Sequence, residues 1–138
     1  MEMKVSIIIP CKTVDAYAKR CIEACEALWW EGPAGDMIGS GGNKAYEIMV
    51  ITDEVCPGFP AAKRNYAMQR AKGDVFAFID SDAYTSKDWL KNAIYWLQAF
   101  PAVCGPGVLP PEAPYREHIA DQVHKWVFCP YRVTATPP

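Results

Sequence analysis

No run of about 20 apolar residues occurs in the 138 residues, so no segment is expected to cross a bilayer as a helix. Neither sign of charge dominates. Lys and Arg number 14 and Asp and Glu 16, a net charge of −2. That excludes the broad basic surface that grips nucleic acid, and no nucleic-acid partner is expected. Histidine is scarce: His118 and His124 stand outside any cysteine cluster. None of the six cysteines forms a C-x-x-C pair, so a zinc site is not expected. The apolar stretch Val5–Pro10 is too short for a secretion signal and ends in proline. Without an export signal, Cys11, Cys21, Cys25, Cys56, Cys104 and Cys129 read as free thiols in a reducing cytoplasm. No phosphate-loop signature is present either. Around Gly39-Ser40-Gly41-Gly42-Asn43-Lys44, neither G-x-x-x-x-G-K-[ST] nor G-x-G-x-x-G is found, and a strand follows where a phosphate cradle would open a helix.

What is present is apolar and ordered. Apolar residues make up 51% and charged residues 22%, enough to bury a core and too little charge for disorder. The length suits one domain, 1–138, with 134–138 a frayed tail. Lys4–Ile9 reads as a buried strand ended by Pro10. Val14–Trp30 reads as a helix with Asp15 in its first turn and Ala16, Ile22, Ala24, Cys25 and Leu28 on its apolar face. Residues 31–45 hold five glycines and form a connector. Tyr46–Thr52 is a second strand. Ala61–Ala71 is a second helix, opened by Pro60 and capped by Gly73. Val75–Ile79 is a third buried strand. Lys87–Phe100 is a third helix with Ser86 as its N-cap and Trp89, Leu90, Ala93, Ile94 and Leu97 as its stripe. A short strand or loop over 102–109 and a last helix over Tyr115–Phe128 complete the order.

Strands alternating with helices predict an α/β fold: a mostly parallel sheet with helices on both faces, a three-layer α/β/α sandwich. Ligands bind such sheets at the carboxyl ends of the strands. Three places therefore matter: Pro10, Cys11 and Lys12, then Asp53, then Asp80-Ser81-Asp82. The last is the strongest signal. An apolar strand opens directly into two acids one residue apart, a hard-oxygen pair suited to Mg²⁺ or Mn²⁺ shared with a diphosphate. The same pair can instead cap the following turn. Asp53 can accept a base N–H or a ribose hydroxyl, or serve as a turn acid. Lys63 and Arg64, near a helix start, can attract phosphates or form a solvated basic turn. Cys11 has no histidine beside it to activate a thiolate, so a nucleophilic role is not expected.

Four segments in order extend the signal: Val5-Ser6-Ile7-Ile8-Ile9-Pro10, Glu47-Ile48-Met49-Val50-Ile51-Thr52-Asp53, Ala61-Ala62-Lys63-Arg64-Asn65, and Gly73-Asp74-Val75-Phe76-Ala77-Phe78-Ile79-Asp80-Ser81-Asp82. Their order and spacing resemble the amino-terminal half of glycosyltransferase family 2, the inverting enzymes of GT-A fold. The resemblance runs over about residues 4–110. It implies a Rossmann-like nucleotide-diphospho-sugar transferase fold, here truncated. It implies transfer of a sugar from a nucleotide-diphosphate sugar to an acceptor hydroxyl with inversion, helped by Mn²⁺ or Mg²⁺.

Carried over residue by residue, the resemblance places Pro10, Cys11 and Lys12 at the base pocket and Asp53 on the base. It places Arg64 near the nucleotide and the acidic motif. Asp82 becomes the direct metal ligand, with Asp80 a second ligand nearer the ribose and Ser81 between them on the donor. Cys104-Gly105-Pro106-Gly107 falls near the sugar-side loop. The sequence departs from the family at several points. Cys11-Lys12-Thr13 stands where an aromatic-Asn pair is common, and the Gly-Ser common after the second strand is missing. Family catalytic domains run to about twice this length. Glu112, Glu117 and Asp121 do not match the family's general-base motif. A UDP-sugar is expected over a GDP-sugar, with a saccharide or lipid acceptor and self-association into a homo-oligomer. The expected location is the cytoplasm, with peripheral attachment to a membrane left open. The competing reading is a non-catalytic nucleotide-sugar-binding or subunit-interaction module lacking the acceptor half and general base.

Overall fold

The computed structural model describes residues 4–29 and 46–105. The connector over 31–45, the helix over 115–128, the tail, Cys129 and the acids Glu112, Glu117 and Asp121 lie outside the described residues. So do Pro106 and Gly107 and the second half of the segment 102–109. The chain divides into two compact units, Met1–Asn92 and Ala93–Pro138. No described helix is long and apolar enough to cross a membrane.

The first unit holds β1 (Val5–Pro10), α1 (Ala16–Glu26), β2 (Tyr46–Ile51), α2 (Pro60–Met68) and β3 (Val75–Phe78). The strands form one parallel sheet in the order β2-β1-β3. The chain steps from β1 to β2 on one side, then crosses back to β3 on the other. With right-handed crossovers, that reversal puts α1 and α2 on opposite faces. Packing agrees. Ile8 and Ile51 meet Ala67 of α2, with Met49, Tyr66 and Met68 around them. On the other face the Tyr46 hydroxyl donates to the Cys25 carbonyl of α1 at 2.9 Å. The expected three layers are present.

The central strand β1 is buried throughout, as its apolar run Val5, Ile7, Ile8 and Ile9 predicts. Pro10 belongs to the strand as its last residue, opposite Ile51, and does not follow its end. Cys11 N–H donates toward β2, to the Ile51 carbonyl at 3.0 Å. By alternation Pro10 faces the β3 side, where pairing already stops at Ile8 and Phe78. The missing N–H therefore breaks no ladder bond.

Helix α1 is shorter than expected. Asp15 is its N-cap, its Oδ1 accepting from Ala18 N at 2.8 Å, and not a first-turn acid. Ala18, Cys21 and Cys25 bury its inner face, while Ala16 is exposed. Leu28 is buried just past the helix.

Gly73 is not a helix cap. Helix α2 ends at Met68 with Gln69 as its cap. Gly73 instead lets two backbones meet, since a Cβ there would lie 2.6 Å from Ser6 N and 2.8 Å from the Val5 carbonyl carbon. Its N–H donates to Ser6 Oγ at 2.9 Å, and that hydroxyl donates to Glu47 Oε1 at 2.6 Å. Glu47 Oε1 also accepts from Lys72 N at 2.7 Å. The buried Ser6 is thus fully engaged. These two donors hold the Glu47 carboxyl below the usual range.

Among the described strands β3 lies at the edge of the sheet, and it is not fully buried. Val75 and Ala77 are half-buried, and Phe76 and Phe78 are exposed on the α2 side of the sheet. Helix α3 (Trp89–Leu97) starts later than expected and passes from the first unit into the second. Ser86 does not cap it with its side chain: the hydroxyl donates to Asp88 Oδ1 at 2.6 Å. Of its apolar stripe, only Leu90 is fully buried. In the second unit, Tyr95 and Trp96 meet edge to face, 5.4 Å between ring centres.

Candidate functional site

The carboxyl ends of β1 and β2 and the first turn of α2 surround an open cleft of about 380 Å³, within the usual size of ligand pockets. Its walls are Pro10, Cys11, Lys12, Asp53, Gly58, Phe59, Pro60 and Lys63. Four residues expected at the donor site, Pro10, Cys11, Lys12 and Asp53, therefore share one cavity. Two backbone bonds tie the strand ends together: Cys11 N to Ile51 O and Asp53 N to Lys12 O, both at 3.0 Å.

Lys63 organises the cleft floor. Its side chain is only 2% exposed. The ammonium donates to Asp53 Oδ1 at 2.5 Å and to the Gly58 carbonyl at 2.6 Å. A buried ammonium needs such partners, because burying it alone is prohibitively unfavourable. The sequence offered Lys63 as a phosphate attractor or a solvated turn residue, and its burial rules out the solvated turn. It clamps the β2–α2 loop and orients Asp53, which stays 41% exposed and can accept a further hydrogen bond. Gly58 carries the loop through φ +116°, which favours glycine.

Burial pushes the Cys11 thiol up, with the nearby Asp15 charge adding to it. Cys11 therefore lines the cleft as a neutral thiol.

Arg64, one residue on from Lys63, leaves the cleft wall. Its Nη2 donates to Asp80 Oδ1 at 2.7 Å, joining α2 to the acidic turn after β3. Ile79 N donates to Ile8 O, which seats that turn at the same carboxyl edge of the sheet. Ala83 N bonds to Asp80 O at 3.0 Å, closing a turn through Ser81 and Asp82. Cys21 on α1 braces it through an Sγ contact to the Asp80 carbonyl at 3.6 Å. Asp80, Ser81, Asp82 and Arg64 thus form a second cluster and are not among the cleft-lining residues. Among the described residues, no three His, Cys, Asp or Glu side chains converge as a metal cage.

The sequence reading missed Phe59 and the burial of Lys63. Phe59 carried one visible signal, an aromatic residue inside Cys56-Pro57-Gly58-Phe59-Pro60, a turn context with no apolar periodicity. The lysine carried none, since its partners come from a loop that sequence spacing does not place.

The profile of glycosyl transferase family 2 matches residues 57–135, more than half of the chain. Among solved structures, the crystal structure of S. aureus TarS 1–349 is similar with a TM-score of 0.51 and 22% sequence identity. That likeness covers 78% of this chain and 39% of TarS 1–349, and it shows the GT-A type of fold expected from the sequence. The chain thus spans well under half the length of that structure. No curated protein matches.

Proposed function

The chain belongs to glycosyl transferase family 2, and on that premise we propose that it forms the donor-binding part of an inverting glycosyltransferase. The enzyme would move a sugar from a nucleoside diphosphate, uridine before guanosine, to a saccharide or lipid hydroxyl. The supporting observation is convergence. Residues from the ends of β1 and β2 line one cleft with the start of α2, and the acidic turn after β3 lies at the same sheet edge. In a parallel α/β sheet, that edge is where ligands bind. Asp53, oriented by Lys63, would receive the base, with Pro10, Cys11 and Lys12 beside it.

The acidic turn suits a divalent ion. Mg²⁺ or Mn²⁺ held with a diphosphate takes one or two carboxylates, phosphate oxygens and water, so a protein cage of three ligands is not required. Asp80 and Asp82 offer exposed hard oxygens on a braced turn. Asp82 would hold the ion. Asp80, with Oδ1 committed to Arg64, would supply a second oxygen nearer the ribose. Ser81 sits between them toward the donor. When bound, the ion would neutralise charge on the departing diphosphate. Arg64 would add fixed positive charge there. Deprotonation of the acceptor hydroxyl needs a base placed on the acceptor side. A cytoplasmic location and self-association belong to the same proposal.

Calorimetric titration tests it, with UDP, GDP and their sugars, with and without Mn²⁺, on wild type and Asp82→Ala. Saturable UDP binding that requires Mn²⁺ and is lost in Asp82→Ala is the expected result. A folded protein that binds no nucleotide under any condition would refute the reading.

A further inference from the structure

The cleft has one feature that folding does not account for. Phe59 is 85% exposed, the most exposed of the large apolar residues described. It occupies the N-cap of α2 and makes no side-chain cap bond. Ser, Thr, Asp or Asn at that position would stabilise the helix, so phenylalanine forgoes cap energy as well as burial. Local structure therefore gives the ring no reason to be there. Yet its backbone is tightly specified. Pro60 restricts the preceding residue to extended geometry, and Phe59 has φ −69° and ψ 156°. Gly58 before it takes a positive φ, and Lys63 holds the Gly58 carbonyl at 2.6 Å. An exposed ring is thus mounted on a fixed backbone at the wall of the cleft. Of the described residues lining that cleft, Phe59 is the one aromatic.

A flat apolar face beside a carboxylate acceptor suits a planar heterocycle whose edge carries an N–H. We propose that the Phe59 ring stacks on the nucleobase of the donor while Asp53 accepts from its edge. The inference rests on the donor-site reading above and adds a residue to it. An aromatic face binds any base, so the ring contributes affinity and Asp53 contributes the choice among bases. Stacking also explains the placement. A base laid on the ring buries the apolar surface that the free protein leaves in water, and the pinned backbone leaves little to order on binding.

The test compares wild type, Phe59→Ala and Phe59→Tyr by calorimetry, with UDP and with base-free inorganic pyrophosphate, both with Mn²⁺. Loss of one base–aromatic stack corresponds to roughly 5- to 150-fold in affinity. UDP binding should weaken by that factor in Phe59→Ala and stay near wild type in Phe59→Tyr. Pyrophosphate binding should be equal in all three, and the melting temperature of Phe59→Ala should not move. Unchanged UDP affinity in Phe59→Ala would overturn the stacking role and leave the donor site standing. Equal losses for UDP and pyrophosphate would overturn it too, as would a lowered melting temperature, because each would make the ring structural. Absence of UDP binding by the wild type would instead remove the donor-site reading and this inference with it.

Discussion

Deleting either partner of the Lys63–Asp53 pair should destabilise the fold, and by unequal amounts. The pair is asymmetric: the lysine side chain is 2% exposed and the aspartate 41%. Removing one partner of a fully buried pair costs about 3–5 kcal/mol, because a charge is left stranded. In Lys63→Met the stranded group is Asp53, and water reaches it. Methionine also keeps the apolar stem packed. What is lost is one charged hydrogen bond and the donor to Gly58, about 2 kcal/mol after allowance for solvent. In Asp53→Ala the stranded group is the ammonium, which is buried in the folded protein and keeps the Gly58 carbonyl. That variant should lose about 3–4 kcal/mol. Urea unfolding of both single variants and the double variant reads these values and their coupling. The double variant should be less destabilised than the sum of the singles. If Lys63→Met loses as much as Asp53→Ala, or if both stay within about 0.5 kcal/mol of wild type, the burial argument fails.

Two further outcomes follow from the amino-terminal end of the sheet. Gly73→Ala should destabilise by about 2 kcal/mol or more, since its Cβ would fall 2.6 Å from Ser6 N, a backbone atom that cannot step aside. Thermal melting checks this, and an unchanged midpoint would mean the strands are not this close. Glu47 has its carboxyl held low by the Ser6 hydroxyl and the Lys72 N–H. A depressed carboxyl stabilises the fold above its unfolded pKa and loses that contribution as pH falls through its folded value. Stability should therefore decline below about pH 4.5, the ordinary glutamate value. Urea unfolding across pH 3–6 should show a shallower acid slope in Glu47→Gln.

The sequence alone determined the order of the described elements and the position of the sheet's carboxyl edge. The reason is local. Short apolar runs such as Val5-Ser6-Ile7-Ile8-Ile9 mark strands, proline and glycine punctuate them, and parallel connection puts the strand ends on one side. It therefore named Pro10, Cys11, Lys12, Asp53 and the Asp80–Asp82 turn. Tertiary structure decided what those residues do to each other. Lys63 and Arg64 are adjacent in sequence and look alike there. On a helix they point about 100° apart, and one is buried against Asp53 while the other pairs with Asp80. Gly73 reads as a cap because a helix precedes it. Its true constraint comes from Ser6, 67 positions away. Phe59 shows only in three dimensions that its ring has no core to enter. Pattern reveals which face a residue is on, whereas burial and partners across long sequence distances depend on how the layers close, and there the chemistry of this cleft was set.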